Sequence, residues 1–219
     1  MDGNQPNFEE LEVQGVMGVH REDSVLPSIY PCYDFMTVAG ILQDFNTLIS
    51  NAGLDQFVAS EPNQYAKLTM SVVIFFRFSW PLPIPMVHYN IYNVSVDLSL
   101  HDFCTAIKVP HWGSHEKIRG SPRRLLELYS EICQGRSLTT ENGKIRNIQP
   151  PSIRYFAYYI GKCVLARKNA NKLFAHDLAF LSAALRSDRT YNLGALIAHR
   201  LYANREKGGI CGGLIASRC

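Results

Sequence analysis

Two consecutive prolines, Pro150 and Pro151, are followed by an apolar stripe that a helix gathers onto one face. In "SIRYFAYYIGKCVLARKN" (Ser152–Asn169), Ile153, Phe156, Ile160 and Val164 recur every three or four residues, and Ala157 and Leu165 widen the stripe. That spacing matches one side of a 3.6-residue turn. Proline is tolerated where a helix begins, because its missing N–H has no intrahelical partner there. The segment therefore predicts a core helix over about Ser152–Lys168. Arg154, Lys162, Arg167 and Lys168 fall largely off the apolar face, and Tyr155, Tyr158 and Tyr159 lie at its flanks. Such an edge suits phosphates and unpaired bases. It equally suits basic side chains that only solvate a helix.

The rest of the chain reads as mainly α (α+β), a helical domain with one short β-hairpin. Phe35, Val38, Leu42, Phe45 and Ile49 keep helical spacing in "DFMTVAGILQDFNTLISNAG" (Asp34–Gly53), which ends in Asn-Ala-Gly, a left-handed stop. "PNQYAKLTMSVVIFFRFSW" (Pro62–Trp80) predicts a second helix, apolar nearly all round in its C-terminal half and halted before Pro81. The stretch "PLPIP" (Pro81–Pro85) forces an extended connection, and "MVHYNIYNVSVDLSL" beyond it reads as the hairpin, with Asn93 near its middle. Ser99 with Asp102 forms a helix start, and Ser121-Pro122 forms another, followed by Leu125, Leu128, Tyr129 and Ile132 facing inward. Two further helices are expected over about His176–Arg186 and Leu193–Glu206. The predicted organisation is a loose acidic arm (1–30), a helical subdomain with the hairpin (31–133), a basic linker (134–150), a three-helix subdomain (151–207) and a glycine-rich tail (208–219).

Charge divides the chain more sharply than its total of +3 implies. Residues 1–110 carry 4 Lys+Arg against 12 Asp+Glu, a net −8, and residues 111–219 carry 18 against 7, a net +11. A cationic half is the electrostatic footprint of a nucleic-acid surface. Attraction between the two halves, within one molecule or head to tail between copies, is the competing reading. The candidate nucleic-acid-binding residues are Arg119, Arg123, Arg124, Lys144, Arg146, Arg154, Lys162, Arg167 and Lys168. The three arginines Arg119, Arg123 and Arg124 flank a helix N-terminus, where the dipole disfavours cations.

No pattern of residues supports catalysis. The set His101, Cys104, His111 and His115 has spacing compatible with zinc, but dedicated zinc ligands come as tighter paired blocks, and Cys104 suits the core as a small apolar thiol. The six cysteines contain no C-x-x-C pair and are expected to be free thiols. "GGICGG" (Gly208–Gly213) lacks the Lys-Ser/Thr ending and the preceding strand of a phosphate-binding loop. The longest apolar run, Val72–Phe76, is far below the ~20 residues a bilayer span requires. No membrane partner, metal or cofactor is expected. The N-terminus lacks the order of a secretory signal, which points to a cytoplasmic or nuclear protein.

The succession of segments is more informative than any one of them. "LISNAGLDQFV" (Leu48–Val58) is followed by "NQYAKLTMSVVIFF" (Asn63–Phe76), "NVSVDLSLHDFCTAIKVP" (Asn93–Pro110) and the long stretch from Ile148 to Ala203. This order resembles the first-ORF, gag-region protein of Athila-type LTR retrotransposons of plants, over about residues 30–205. The resemblance implies a non-enzymatic element protein that packages RNA by self-assembly, with RNA or single-stranded nucleic acid and further copies of itself as partners. It supplies no catalytic residues. The shortness of the chain and its lack of a zinc knuckle lead to the expectation of a truncated or host-retained copy. A host protein-interaction module, a regulator or toxin-like factor acting through a host protein partner, is the alternative function; a metal-dependent enzyme is a remote third.

Overall fold

A computed structural model of the protein describes residues 30–59, 65–79, 84–92, 94–115, 123–137, 143–165, 167 and 169–204. The chain begins with α1 (Tyr33–Val38), α2 (Leu42–Asn51) and α3 (Asp55–Ala59). The single helix expected over residues 34–53 is two. Gly40, at φ +67°, ends α1: its N–H reaches Thr37 O, and the Ile41 N–H reaches Met36 O. Gly53, at φ +68°, ends α2 in the same way, with bonds to Ser50 O and from Leu54 N–H to Ile49 O. In both cases a left-handed residue caps orphan carbonyls, and glycine adopts that conformation without a Cβ clash.

Helix α4 (Ala66–Ile74) leads into a three-stranded antiparallel sheet, β1 (Arg77–Ser79), β2 (Met86–Ile91) and β3 (Val94–Ser99), in the order β1-β2-β3. The expected hairpin is β2–β3, but β1 corrects the expectation that the preceding helix runs to Trp80. Its β-branched residues Val72, Val73 and Ile74 are weak helix formers, and Pro81 biases the residue before it toward extended backbone. Residues 77–79 instead gain a partner strand, with Phe78 opposite Val87. Side chains stitch the three strands together: Ser79 Oγ lies 3.1 Å from His88 Nε2, and His88 Nδ1 lies 2.6 Å from Asp97 Oδ1. Ser99 caps α5 (Leu100–Ala106), accepting the Asp102 N–H, as the sequence predicts.

Helix α6 (Arg123–Ile132) buries Leu125, Leu128, Tyr129 and Ile132, its predicted inward face. After a 3-10 turn (Ile145–Asn147) come α7 (Pro151–Tyr159), a π turn (Ile160–Val164), α8 (Ala175–Arg186) and α9 (Leu193–Asn204). One cluster of buried side chains extends from Met36 to Leu201 and takes in Phe45 of α2, Tyr89 of β2, Leu128 of α6, Ile145 and Ile148 of the connection, and Phe180 of α8. Phe45 is its aromatic hub, with ring centroids 5.5, 6.3 and 5.7 Å from Tyr155, Phe156 and Tyr159. That contact docks α2 on α7. Among the described residues, no helix is long and apolar enough to cross a membrane.

Candidate nucleic-acid interface

The 3-10 turn ahead of α7 alternates cations with core residues. Ile145 and Ile148 are buried, which leaves Arg146 exposed and Lys144 half-buried. Backbone bonds fix the strip in place: Ile145 N–H donates to Asn171 O and Leu173 N–H to Gly143 O, both at 2.9 Å, while Gln149 N–H reaches Ile132 O at 3.0 Å. Arg154, in the first turn of α7, folds back over the same strip. Its Nε donates to Ile148 O at 2.9 Å and its Nη2 to Gln149 O at 3.1 Å. Among the described residues, none of Lys144, Arg146 and Arg154 is paired with a carboxylate.

These three cations share one concave site of about 700 Å³ with the start of α7 and the end of α1. Tyr155 and Tyr158 come from α7, Phe35 from α1, and Ile41, Ile145 and Pro151 supply aliphatic surface. Phe35 stacks on Tyr155 with centroids 5.8 Å apart and planes 28° from parallel. Tyr155 is held further by its hydroxyl, which accepts the Cys32 N–H at 3.1 Å. Phe35 is 53% exposed and Tyr158 38%, so both present ring surface to solvent. The groove thus joins fixed positive charge to open aromatic faces, the two components that sequence-tolerant binding of single strands requires. Its lining residues include no carboxylate, histidine or cysteine.

The other candidate residues lie elsewhere or are engaged. Arg123 pairs with Glu127 one turn along α6 at 2.9 Å, and Arg124 pairs with Asp188 at 2.7 Å with its guanidinium over the Tyr191 ring. Lys162 is half-buried in the π turn. Arg119 and Lys168 lie outside the described residues. Arg167 is a correction: it is only 3% exposed, and it donates to Asp177 Oδ1 and Lys172 O, each at 2.6 Å. The reason is the π turn. Leu165 N–H bonds to Ile160 O five residues back, the turn ends at Val164, and Arg167 lies in the non-helical backbone beyond it, its N–H on Gly161 O at 3.1 Å, so helical spacing no longer sets where its side chain points. Sequence reasoning also missed Phe35, whose role depends on the break at Gly40 and the return of α1 against α7.

The His101/Cys104/His111/His115 set does not assemble into a metal cage. The His101 and His111 rings meet edge to face at 5.1 Å, whereas Cys104 is buried, its Sγ 4.0 Å from Asn192 Oδ1. Burial pushes the Cys104 thiol up to about 12, so it is a neutral thiol rather than a thiolate ligand. Burial holds His111 below its usual value, with the neighbouring His101 and His115 adding to the effect. Among the described residues, no group of three or more His, Cys, Asp or Glu is placed to hold a metal ion. Cys32, Cys104, Cys133 and Cys163 are free thiols.

Fold and groove together define a mainly α protein built around a small antiparallel sheet, with a cationic, aromatic cleft and no assembled metal centre among the described residues. Residues 17–192 match the ATHILA ORF-1 family, and the chain belongs to that family, a retrotransposon gag-like protein. No curated protein and no solved structure matches it.

Proposed function

We propose that this chain is a non-catalytic element protein that binds single-stranded RNA without sequence preference and self-assembles on it, in the cytoplasm or nucleus of a plant cell. The observation that carries the reading is the convergence of Lys144, Arg146 and Arg154 with Phe35 and Tyr158 on one groove. The cations track the backbone phosphates and the open ring faces receive bases, whatever their identity. The opposite net charges of the two halves favour head-to-tail contact between copies.

Fluorescence anisotropy of a labelled single-stranded RNA at several salt concentrations tests binding. Three phosphates neutralised at the groove give a log–log slope of about −2, since each contributes roughly −0.7 on a single strand. Absence of binding at low salt rejects the reading. Light scattering with and without RNA tests assembly: a mass that stays monomeric in both rejects that part.

A further inference from the structure

The first 29 residues carry six carboxylates (Asp2, Glu9, Glu10, Glu12, Glu22 and Asp23) and one arginine, Arg21. Half of these carboxylates interleave with apolar side chains in "FEELEV", Phe8–Val13, which precedes the part of the chain that matches the family. This segment joins the fold at the wall of the groove. Tyr30 packs against the core, Pro31 is buried, and the Cys32 N–H is bonded to the hydroxyl of Tyr155, a groove residue. We infer that Phe8–Val13 docks in the groove of the same molecule, with Glu9, Glu10 and Glu12 against Lys144, Arg146 and Arg154 and with Phe8 and Leu11 on the apolar surface between them.

Three features select this occupant. The charges are complementary, and the groove cations have no carboxylate partner among the described residues. The groove offers both components that the segment carries: cations at its rim and apolar surface at Ile145, Pro151 and Phe35. The tether has the right reach, since the 16 residues between Val13 and Tyr30 have a root-mean-square span of about 22 Å as a flexible chain. A tether of that length holds its end near the groove at a millimolar effective concentration, enough for a contact too weak to persist between separate molecules. Carboxylates spaced along a chain with apolar side chains between them present to the groove what a short single strand presents, negative charge with flat or apolar surface. Resting on the RNA-binding reading, the arm is then a competitor, and RNA must displace it.

The test uses the full chain with a photocrosslinking benzoylphenylalanine in place of Phe8. Irradiation of the monomeric protein at low salt, followed by mass spectrometry of the digest, is expected to place crosslinks on the peptides containing Lys144–Tyr158 or Phe35. Those crosslinks are expected to fall at least fivefold in Arg146→Glu/Arg154→Glu and at 1 M salt, because screening shortens the reach of charge to about 3 Å. Crosslinks confined to other surfaces, or formed only between two copies, overturn the inference. This readout needs no RNA, so it separates the docking from the reading on which it rests. In a second arm, Glu9→Gln/Glu10→Gln/Glu12→Gln is expected to tighten RNA binding on the order of tenfold, as removal of an intramolecular competitor does. Unchanged RNA affinity in that variant, in a chain whose groove binds RNA, overturns the competition.

Discussion

Arg167 and Asp177 form a buried ion pair, Nη2 to Oδ1 at 2.6 Å, that joins the backbone just beyond the π turn to the first turn of α8. Both side chains are at most 3% exposed, so desolvation is severe for each. The geometry offsets it with further bonds. Asp177 Oδ2 accepts the Phe174 N–H at 2.7 Å, completing the start of α8, and Arg167 also donates to Lys172 O. Removal of one partner leaves the other charge buried. Arg167→Met is expected to cost about 3–5 kcal/mol in urea denaturation, and Arg167→Met/Asp177→Leu to recover part of that loss. A single variant within about 1 kcal/mol of the parent contradicts the role assigned to the pair.

The neighbouring His176 gives the same cluster a distinctive pH response. Burial, with Arg200 and Arg167 nearby, lowers His176 to about 3, while burial raises Asp177 to about 6 against the pull of Arg167. Below about pH 6.5 the unfolded chain protonates His176 and the folded chain does not, so this group loses stability as pH falls toward 3. Between about pH 6 and 4 the folded chain protonates Asp177 and the unfolded chain does not, so that group gains stability as pH falls. The two slopes oppose each other over this window, each worth at most about 1.4 kcal/mol per pH unit. His176→Phe, which keeps a ring against Phe174, is therefore expected to gain stability relative to the parent as pH is lowered from about 6 to about 4. Parallel stability curves for the two proteins between those values sink the prediction.

Much of this architecture is legible in the residues. The Ser99–Asp102 cap, the inward face of α6, the Gly53 stop, the bounds of α8 and the start of α9 all come from local rules, because each depends on residues within one or two turns; the expected end of α9 at Glu206 lies outside the described residues. The errors have a common cause. Gly40 breaks a continuous apolar stripe, Arg77–Ser79 leaves its helix for a strand partner, and the helix ends in a π turn at Val164, before Arg167, which is buried. Each is decided by a long-range partner or a register change that hydrophobic spacing does not record. The groove is half visible in the sequence: Lys144, Arg146, Arg154, Tyr155 and Tyr158 are close along the chain, whereas Phe35 is contributed by tertiary packing alone.

Close approach of α9 to α5 supplies a third prediction. A Cβ built on Gly194 falls 2.1 Å from Cys104 Sγ, so Gly194→Ala overfills a buried contact. The expected cost is about 1–3 kcal/mol. In Cys104→Ala the sulfur is gone, and the nearest remaining Cys104 atom, Cβ at 3.5 Å, is in ordinary contact. The Cys104→Ala/Gly194→Ala pair is therefore expected to be more stable than the sum of the single changes by about 0.5–3 kcal/mol. Strict additivity in a denaturant double-mutant cycle contradicts the contact.

The groove makes the sharpest distinction among the basic residues, because position rather than charge decides their effect on RNA. Arg146→Gln removes an exposed groove cation and is expected to weaken single-stranded RNA binding and reduce the salt slope by roughly 0.7. Arg123→Gln removes the same charge from an exposed intrahelical pair on α6, away from the groove lining, and is expected to leave both quantities near the parent values. Tyr158→Ala removes ring surface without charge, so it is expected to weaken binding by about 1–3 kcal/mol, the worth of one stacked base, with the slope unchanged. The salt titration therefore separates two components that a single affinity cannot: the cation variant changes slope and intercept, the aromatic variant the intercept alone. Equal losses from Arg123→Gln and Arg146→Gln indicate attraction by net charge, and the groove then has no part in binding.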